Sequence, residues 1–137
     1  MRLSTRGRYG LHAMYVLGKN YGLDPIPLSE ISKMTGLSNS YLEQLIRRLK
    51  KNGLVSSVRG SQGGYFLTRN PKDISIGEIL IALEDFFGTT ECSTDEGYCS
   101  KQGYCPARGV WIEISKELIT KANSMNLAEM VAGKYMR

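Results

Sequence analysis

The sequence predicts a mainly α-helical fold carrying one small β-hairpin, and three patterns predict it. Apolar residues recur with a period of about 3.6 along most of the chain, the signature of helices that bury one face. One glycine-rich stretch, Arg59-Gly60-Ser61-Gln62-Gly63-Gly64, separates two short runs rich in strand-forming residues. Short polar residues stand just ahead of several apolar stripes, where a helix N-cap belongs.

The first helix is expected from about residue 4 to residue 20, with Ser4 or Thr5 as N-cap and Arg8, His12, Tyr15 and Lys19 as its polar stripe. A Gly22-Leu23-Asp24-Pro25 break ends it. Ser29 is expected to cap a short helix carrying Ile31 and Met34, and Thr35-Gly36-Leu37 supplies a tight turn. A longer helix then starts at Ser38 or Ser40. Its Leu42, Leu45, Ile46 and Leu49 fall on one face, while Ser40, Gln44, Arg47 and Lys51 point the other way. Asn52-Gly53 stops it, and Leu54–Val58 and Tyr65–Thr68 form the hairpin strands. Helix, turn, helix and hairpin in that order describe a winged helix-turn-helix.

Beyond the hairpin, Ser75-Ile76-Gly77-Glu78 reads as a capping box ahead of the Ile76, Ile79, Leu80, Leu83 stripe. A loop holding Cys92, Cys99 and Cys105 follows. A long helix from about residue 106 to residue 123 carries Val110, Trp111, Ile114 and Leu118, and Asn126-Leu127-Ala128-Glu129 caps a last helix reaching about Tyr135.

Composition excludes several classes. The 137 residues fit one domain with an extension, not a solenoid or a large two-domain enzyme. With 42% hydrophobic and 23% charged residues, the chain can bury a core. No apolar run follows the basic start without interruption, because His12 breaks it, and the longest aliphatic run, Ile79–Leu83, is far below the ~20 residues of a membrane helix. A cytoplasmic chain with no membrane partner is expected. The net charge of +5 is uneven: residues 1–72 hold twelve Lys and Arg against three acids, and residues 73–137 hold six against ten. The first part is therefore the candidate binding site for a polyanion.

Each polar feature has a bland reading and a functional one. In a helix-turn-helix the second helix enters the major groove, where Gln44 suits adenine, Arg47 suits guanine or phosphate, and Ser40 is short enough to approach base edges. Arg48 suits the same task, although basic residues on a helix are often only a solvated face. Glu43, three residues after Ser40, also fits a capping box. Arg59 at the hairpin tip, followed by Gly60, suits insertion into a narrow minor groove. An odd number of cysteines at irregular spacing in a reducing compartment points to metal or redox chemistry more than to a disulfide. An iron–sulfur cluster leads, with zinc, thiol redox sensing and unrelated free thiols as alternatives. His12, the single histidine, reads as structural or as a ligand. An enzyme with a cysteine nucleophile is disfavoured, because one histidine and no paired catalytic carboxylates leave little machinery.

Several blocks together resemble a known family, the bacterial winged-helix transcription regulators that include IscR, NsrR, RirA and CymR, and its iron–sulfur cluster regulators above all. The carriers are Met1-Arg2-Leu3 with Gly7-Arg8-Tyr9, Ser40-Tyr41-Leu42-Glu43-Gln44-Leu45, Lys51–Gly60 with Gly63-Gly64-Tyr65, and the cysteine loop. The resemblance implies a DNA-binding domain in residues 1–72, and a cluster loop (about 88–106) with dimerisation helices in residues 73–137. It implies a homodimeric repressor or activator on palindromic double-stranded DNA, no enzyme, controlling iron–sulfur cluster assembly genes and receiving its cluster from assembly scaffold proteins. By position, Ser38, Ser40, Tyr41 and Gln44 look like recognition-helix contacts, Arg59 and Gly60 like wing contacts, Glu43 like a residue tuning specificity, and Cys92, Cys99 and Cys105 like the cluster ligands. Two departures stand out. Arg108 replaces the histidine expected three residues after the last cysteine, and six residues separate the first two cysteines. Some members take a ligand from the first helix of the opposite subunit, so His12 from the partner subunit becomes the candidate fourth ligand. A 2Fe–2S cluster is expected ahead of 4Fe–4S, because imidazole ligation suits it. A zinc- or thiol-based regulator, or a nitric-oxide or iron sensor of the same family, is the alternative.

Overall fold

The computed structural model describes residues 2–93, 100 and 103–137. The chain runs α1 (Thr5–Lys19), α2 (Leu28–Thr35), α3 (Asn39–Lys51), β1 (Val55–Val58), β2 (Gly64–Leu67), α4 (Ile76–Leu83), α5 (Arg108–Ser124) and α6 (Leu127–Val131), with short 3-10 turns at Pro71–Asp73 and Glu91–Ser93. This is the helix-turn-helix and hairpin that the sequence predicts, followed by a helical extension.

Local chemistry sets most boundaries. Ser4 caps α1 by accepting from the Gly7 N–H at 3.3 Å, and Ser38 caps α3 by accepting from the Tyr41 N–H at 3.2 Å. Both sequence-predicted capping boxes form, Ser75 with Glu78 and Asn126 with Glu129. Three details differ from expectation. Ser29 does not cap α2: Pro27 holds the N-cap position with no side-chain bond, and its ring fixes an extended entry at φ −62° and ψ 150°. Glu43 completes no box with Ser40, because the helix already starts from Ser38. The last helix ends at Val131 rather than near Tyr135, where the left-handed Gly133 (φ 85°) turns the chain.

The hairpin is pinned to the helices. β1 and β2 pair antiparallel, Val55 opposite Leu67 through Val58 opposite Gly64. Residue 26, at the entry to α2, adds a further bridge: the Ile26 N–H donates to Tyr65 O at 3.0 Å and the Tyr65 N–H donates to Ile26 O at 2.9 Å. Gly64 sits at φ 157° with its α-carbon against the Ile26 carbonyl, so a side chain there would meet backbone. The wing thus has a fixed position relative to α2 and α3.

One core joins both parts of the chain. Ala13, Met14 and Leu17 of α1, Leu42, Leu45, Ile46 and Leu49 of α3, Ile79 and Leu83 of α4, and Leu127 of α6 are buried in a single cluster. Each fully buried Leu or Ile contributes roughly 1.5–3 kcal/mol relative to exposure. Gly10 lets α1 and α4 approach, since a Cβ there would overlap the Leu83 side chain. The starts of α4 and α6 are stitched together by Ile76 N–H to Met125 O at 2.8 Å and Leu127 N–H to Ile74 O at 2.9 Å. α5 is the exception to this burial. Of its seventeen residues only Ser115 and Ala122 are fully buried, while Val110, Trp111 and Ile114 remain 52%, 38% and 46% exposed.

Candidate nucleic-acid interface and cysteine loop

α3 presents two chemically distinct faces. Leu42, Leu45, Ile46 and Leu49 are buried, and Ser40, Glu43, Gln44, Arg47 and Lys51 are exposed on the opposite side. Ser38 stands at the N-terminus with its hydroxyl engaged as the cap and 3.4 Å from that of Ser40. Tyr41 is half-buried: its hydroxyl donates to Thr5 Oγ1 at 3.2 Å and its ring meets Tyr9 edge-on at 6.3 Å. It ties the start of α3 to α1. Glu43 and Arg47 instead line a shallow cleft of about 640 Å³ with Lys50, Lys51 and Tyr65. Arg48 departs from expectation: it turns inward, donating to Leu83 O at 3.3 Å and to Asp85 Oδ1 at 3.0 Å, and does not join the outward cations.

Arg59 and Gly60 are exposed at the hairpin tip. Gly60 holds φ 111°, and its carbonyl accepts from the Gly63 N–H at 3.0 Å. The turn needs its glycines for shape alone, so the cation is the part free to serve a ligand. Arg59→Ala should weaken binding to a specific duplex by about 1–3 kcal/mol. Titration of labelled DNA checks this, and unchanged affinity returns Arg59 to a surface turn.

The start of the cysteine loop, Thr89 to Ser93, is clamped onto α5 by hydroxyl groups. The buried Ser115 Oγ accepts from the Thr89 N–H at 2.9 Å and lies 2.8 Å from Thr89 Oγ1 and 3.0 Å from Ser93 Oγ. Thr89 Oγ1 also donates to Trp111 O at 3.0 Å. Cys92, in the 3-10 turn, has its sulfur 3.2 Å from Thr90 Oγ1, and its carbonyl accepts from Arg108 Nε at 3.0 Å. The arginine that stands where a histidine ligand was expected therefore holds the Cys92 backbone. Cys92 and Cys105 are both free, half-buried thiols. Cys99 lies outside the described residues. Among the described residues, no three His, Cys, Asp or Glu side chains converge on a metal site.

His12 is exposed on α1, edge-on to Tyr9 at 6.5 Å between ring centres. It lines two adjoining clefts. One, of about 460 Å³, includes Tyr15, Lys19, Met34 and Thr35, and the other, of about 300 Å³, includes Met130, Tyr135 and Met136. Among the described residues, neither cleft is lined by Cys92 or Cys105.

Residues 3–133 match the Rrf2 family, described as iron-dependent transcriptional regulators. The chain belongs to the Rrf2 family. It is 41% identical over 131 residues to the HTH-type transcriptional regulator IscR of Klebsiella pneumoniae, covering 96% of this chain and 80% of that one. The solved structure of T. potens IscR matches with a TM-score of 0.77 at 37% identity, over 98% of this chain and 88% of the other. CymR, the global cysteine regulator of B. subtilis, matches with a TM-score of 0.78 at 34% identity, over 97% and 98%. Like these Rrf2 relatives, the chain is a DNA-binding transcriptional regulator and not an enzyme. Among its described residues no helix is long and apolar enough to cross a membrane.

Sequence reasoning missed three polar side chains that complete this Rrf2 site. Asp85, Ser115 and Thr90 stand outside every motif. Their partners lie two residues away for Thr90, at least 22 for Ser115 and at least 37 for Asp85.

Proposed function

We propose that the chain is a homodimeric regulator whose binding to palindromic DNA is controlled by an iron–sulfur cluster held by Cys92, Cys99 and Cys105. The observation that carries this reading is the joining of two features in one Rrf2 chain. α3 exposes Ser40, Gln44 and Arg47 beside an Arg59 wing, and two free, half-buried thiols flank a loop clamped to the uncovered α5. In this reading residues 1–72 bind DNA and residues 73–137 sense and dimerise.

The donor set fits such a cluster. Thiolates are the ordinary ligands of iron–sulfur centres, and the sequence supplies three of them in one polar segment. When bound, the cluster supplies a centre whose charge and integrity respond to redox conditions. Cys92, whose carbonyl is held by Arg108 and whose sulfur lies beside Thr90, would hold the cluster together with Cys99 and Cys105. His12 from the partner subunit is the fourth ligand, and imidazole ligation favours 2Fe–2S over 4Fe–4S. The apolar face of Val110, Trp111 and Ile114 is what a second copy would cover, bringing the two loops close to the two α1 helices. Ser38 and Tyr41 position the start of α3, Ser40, Gln44 and Arg47 read the major groove, Glu43 disfavours wrong sequences, and Arg59 and Gly60 form the wing contact. Iron–sulfur assembly genes are the proposed targets, with assembly scaffold proteins as the source of the cluster.

Anaerobic purification with visible spectra and iron and sulfide analysis tests the sensor. A brown protein with stoichiometric iron and sulfide is expected, and His12→Ala should alter its spectrum or hasten cluster loss. A colourless protein that holds zinc or no metal, and cannot be reconstituted, would replace this reading with a thiol- or zinc-based regulator. The likeness to CymR, solved for Staphylococcus aureus in an oxidized form, favours that second reading.

A further inference from the structure

Three elements meet at the C-terminal end of α4 through polar bonds that no role described so far requires. Arg6, in the first turn of α1, donates through Nε to Leu83 O at 3.1 Å and through Nη2 to Asp85 Oδ2 at 2.8 Å. Arg48, on the inner flank of α3, donates through Nη1 to the same Leu83 O at 3.3 Å and through Nη2 to Asp85 Oδ1 at 3.0 Å. Each oxygen of one carboxylate thus serves one arginine. Between them Glu84 Oε1 accepts from the Ser4 N–H at 3.0 Å, in space left open because residue 7 is glycine.

We propose that Asp85 is a positioning residue for DNA recognition, which fixes α3 against α1 and withholds the Arg6 and Arg48 charges from DNA phosphates. The inference rests on the DNA-binding role of the family and is independent of the cysteine loop.

Two guanidinium groups drawn to one carbonyl repel each other unless a carboxylate sits between them, so the arrangement depends on Asp85. The paired cations in turn hold the Asp85 carboxyl below the usual carboxylate range, first through the hydrogen bond from Arg48 and then through the charge of Arg6. The carboxylate is 72% exposed, and surface ion pairs of this kind contribute little to stability. Geometry is where the pair matters. Base readout requires side chains to sit within hydrogen-bond reach of base edges, and Arg48 is one residue from Arg47 on the same helix. Freed from Asp85, Arg6 and Arg48 would add sequence-independent phosphate attraction to a segment whose other ten Lys and Arg already outnumber its three acids.

The test uses the full-length chain and two duplexes, one enriched by the native protein from a random library and one of scrambled sequence, each titrated across a salt series. Asp85→Asn should lower the ratio of specific to non-specific affinity by about tenfold. It should also steepen the non-specific salt slope by about 0.9 for each arginine that reaches a phosphate. Asp85→Glu, which retains two oxygens and the charge, should recover most of the ratio. The proposal fails if the Asn variant keeps the native ratio and slope, or if both affinities fall together with the thermal midpoint. It fails equally if the Glu variant discriminates no better than the Asn variant.

Discussion

Raising the salt from about 50 mM to about 200 mM should weaken operator binding by about 10³-fold or more if about six phosphates are neutralised. The expectation follows from where the charge lies. Residues 1–72 hold twelve Lys and Arg against three acids, and Arg8, Arg47, Lys50, Lys51 and Arg59 are all exposed on the described surface. Two further cations of the same segment, Arg6 and Arg48, are bound to Asp85 and do not add to that footprint. Each neutralised phosphate releases condensed counterions, so log affinity should fall linearly with log salt at a slope of about −0.9 per contact. Fluorescence anisotropy of a labelled duplex measures that slope. A flat dependence would mean that the basic excess is only a solvated surface. Removing Arg47 or Lys51 should reduce the slope by about one contact each, whereas removing Arg48 should leave it nearly unchanged.

That difference between Arg47 and Arg48 shows which parts of the site are legible in the chain. The face of α3 is readable because helical periodicity places Leu42, Leu45, Ile46 and Leu49 together, and Gln44 and Arg47 necessarily opposite. Capping boxes are readable because both partners lie within four residues of each other, as Ser75 with Glu78 and Asn126 with Glu129. Arg48 lies at the border of the stripe, and only the fold reveals that Asp85, 37 residues away, claims it. Ser115 misleads in the opposite direction. A serine in mid-helix reads as solvated, yet it is 2% exposed because Thr89 and Ser93 satisfy its hydroxyl. The start of α2 also escaped the pattern, since Pro27 and Ser29 both carry N-terminal preferences and the bridge between Ile26 and Tyr65 decides between them. The cysteine loop is legible as chemistry but not as geometry, because irregular spacing fixes no coordination and its proposed fourth ligand comes from another copy.

Leu45→Ala should destabilise the protein by about 2–5 kcal/mol. Leu45 is 0% exposed and stands in the core shared by α1, α3 and α4, so truncation loses transfer free energy and leaves a cavity that the surrounding core cannot fill without moving. Against a typical domain stability of about 5–15 kcal/mol, the loss would leave a substantially unfolded population on warming. Urea denaturation followed by far-UV circular dichroism should show a lower midpoint with an unchanged m-value, since the surface exposed on unfolding is nearly the same. Gln44→Ala is the paired control. One residue earlier and fully on the outer face, it should change stability by no more than about 0.5 kcal/mol. The two variants should both lose operator occupancy, one by depleting folded protein and the other by removing a base contact. Lowering the temperature should then rescue Leu45→Ala but not Gln44→Ala. If Gln44→Ala unfolded as readily as Leu45→Ala, the two faces of α3 would have been assigned the wrong way round, and with them the surface that meets DNA.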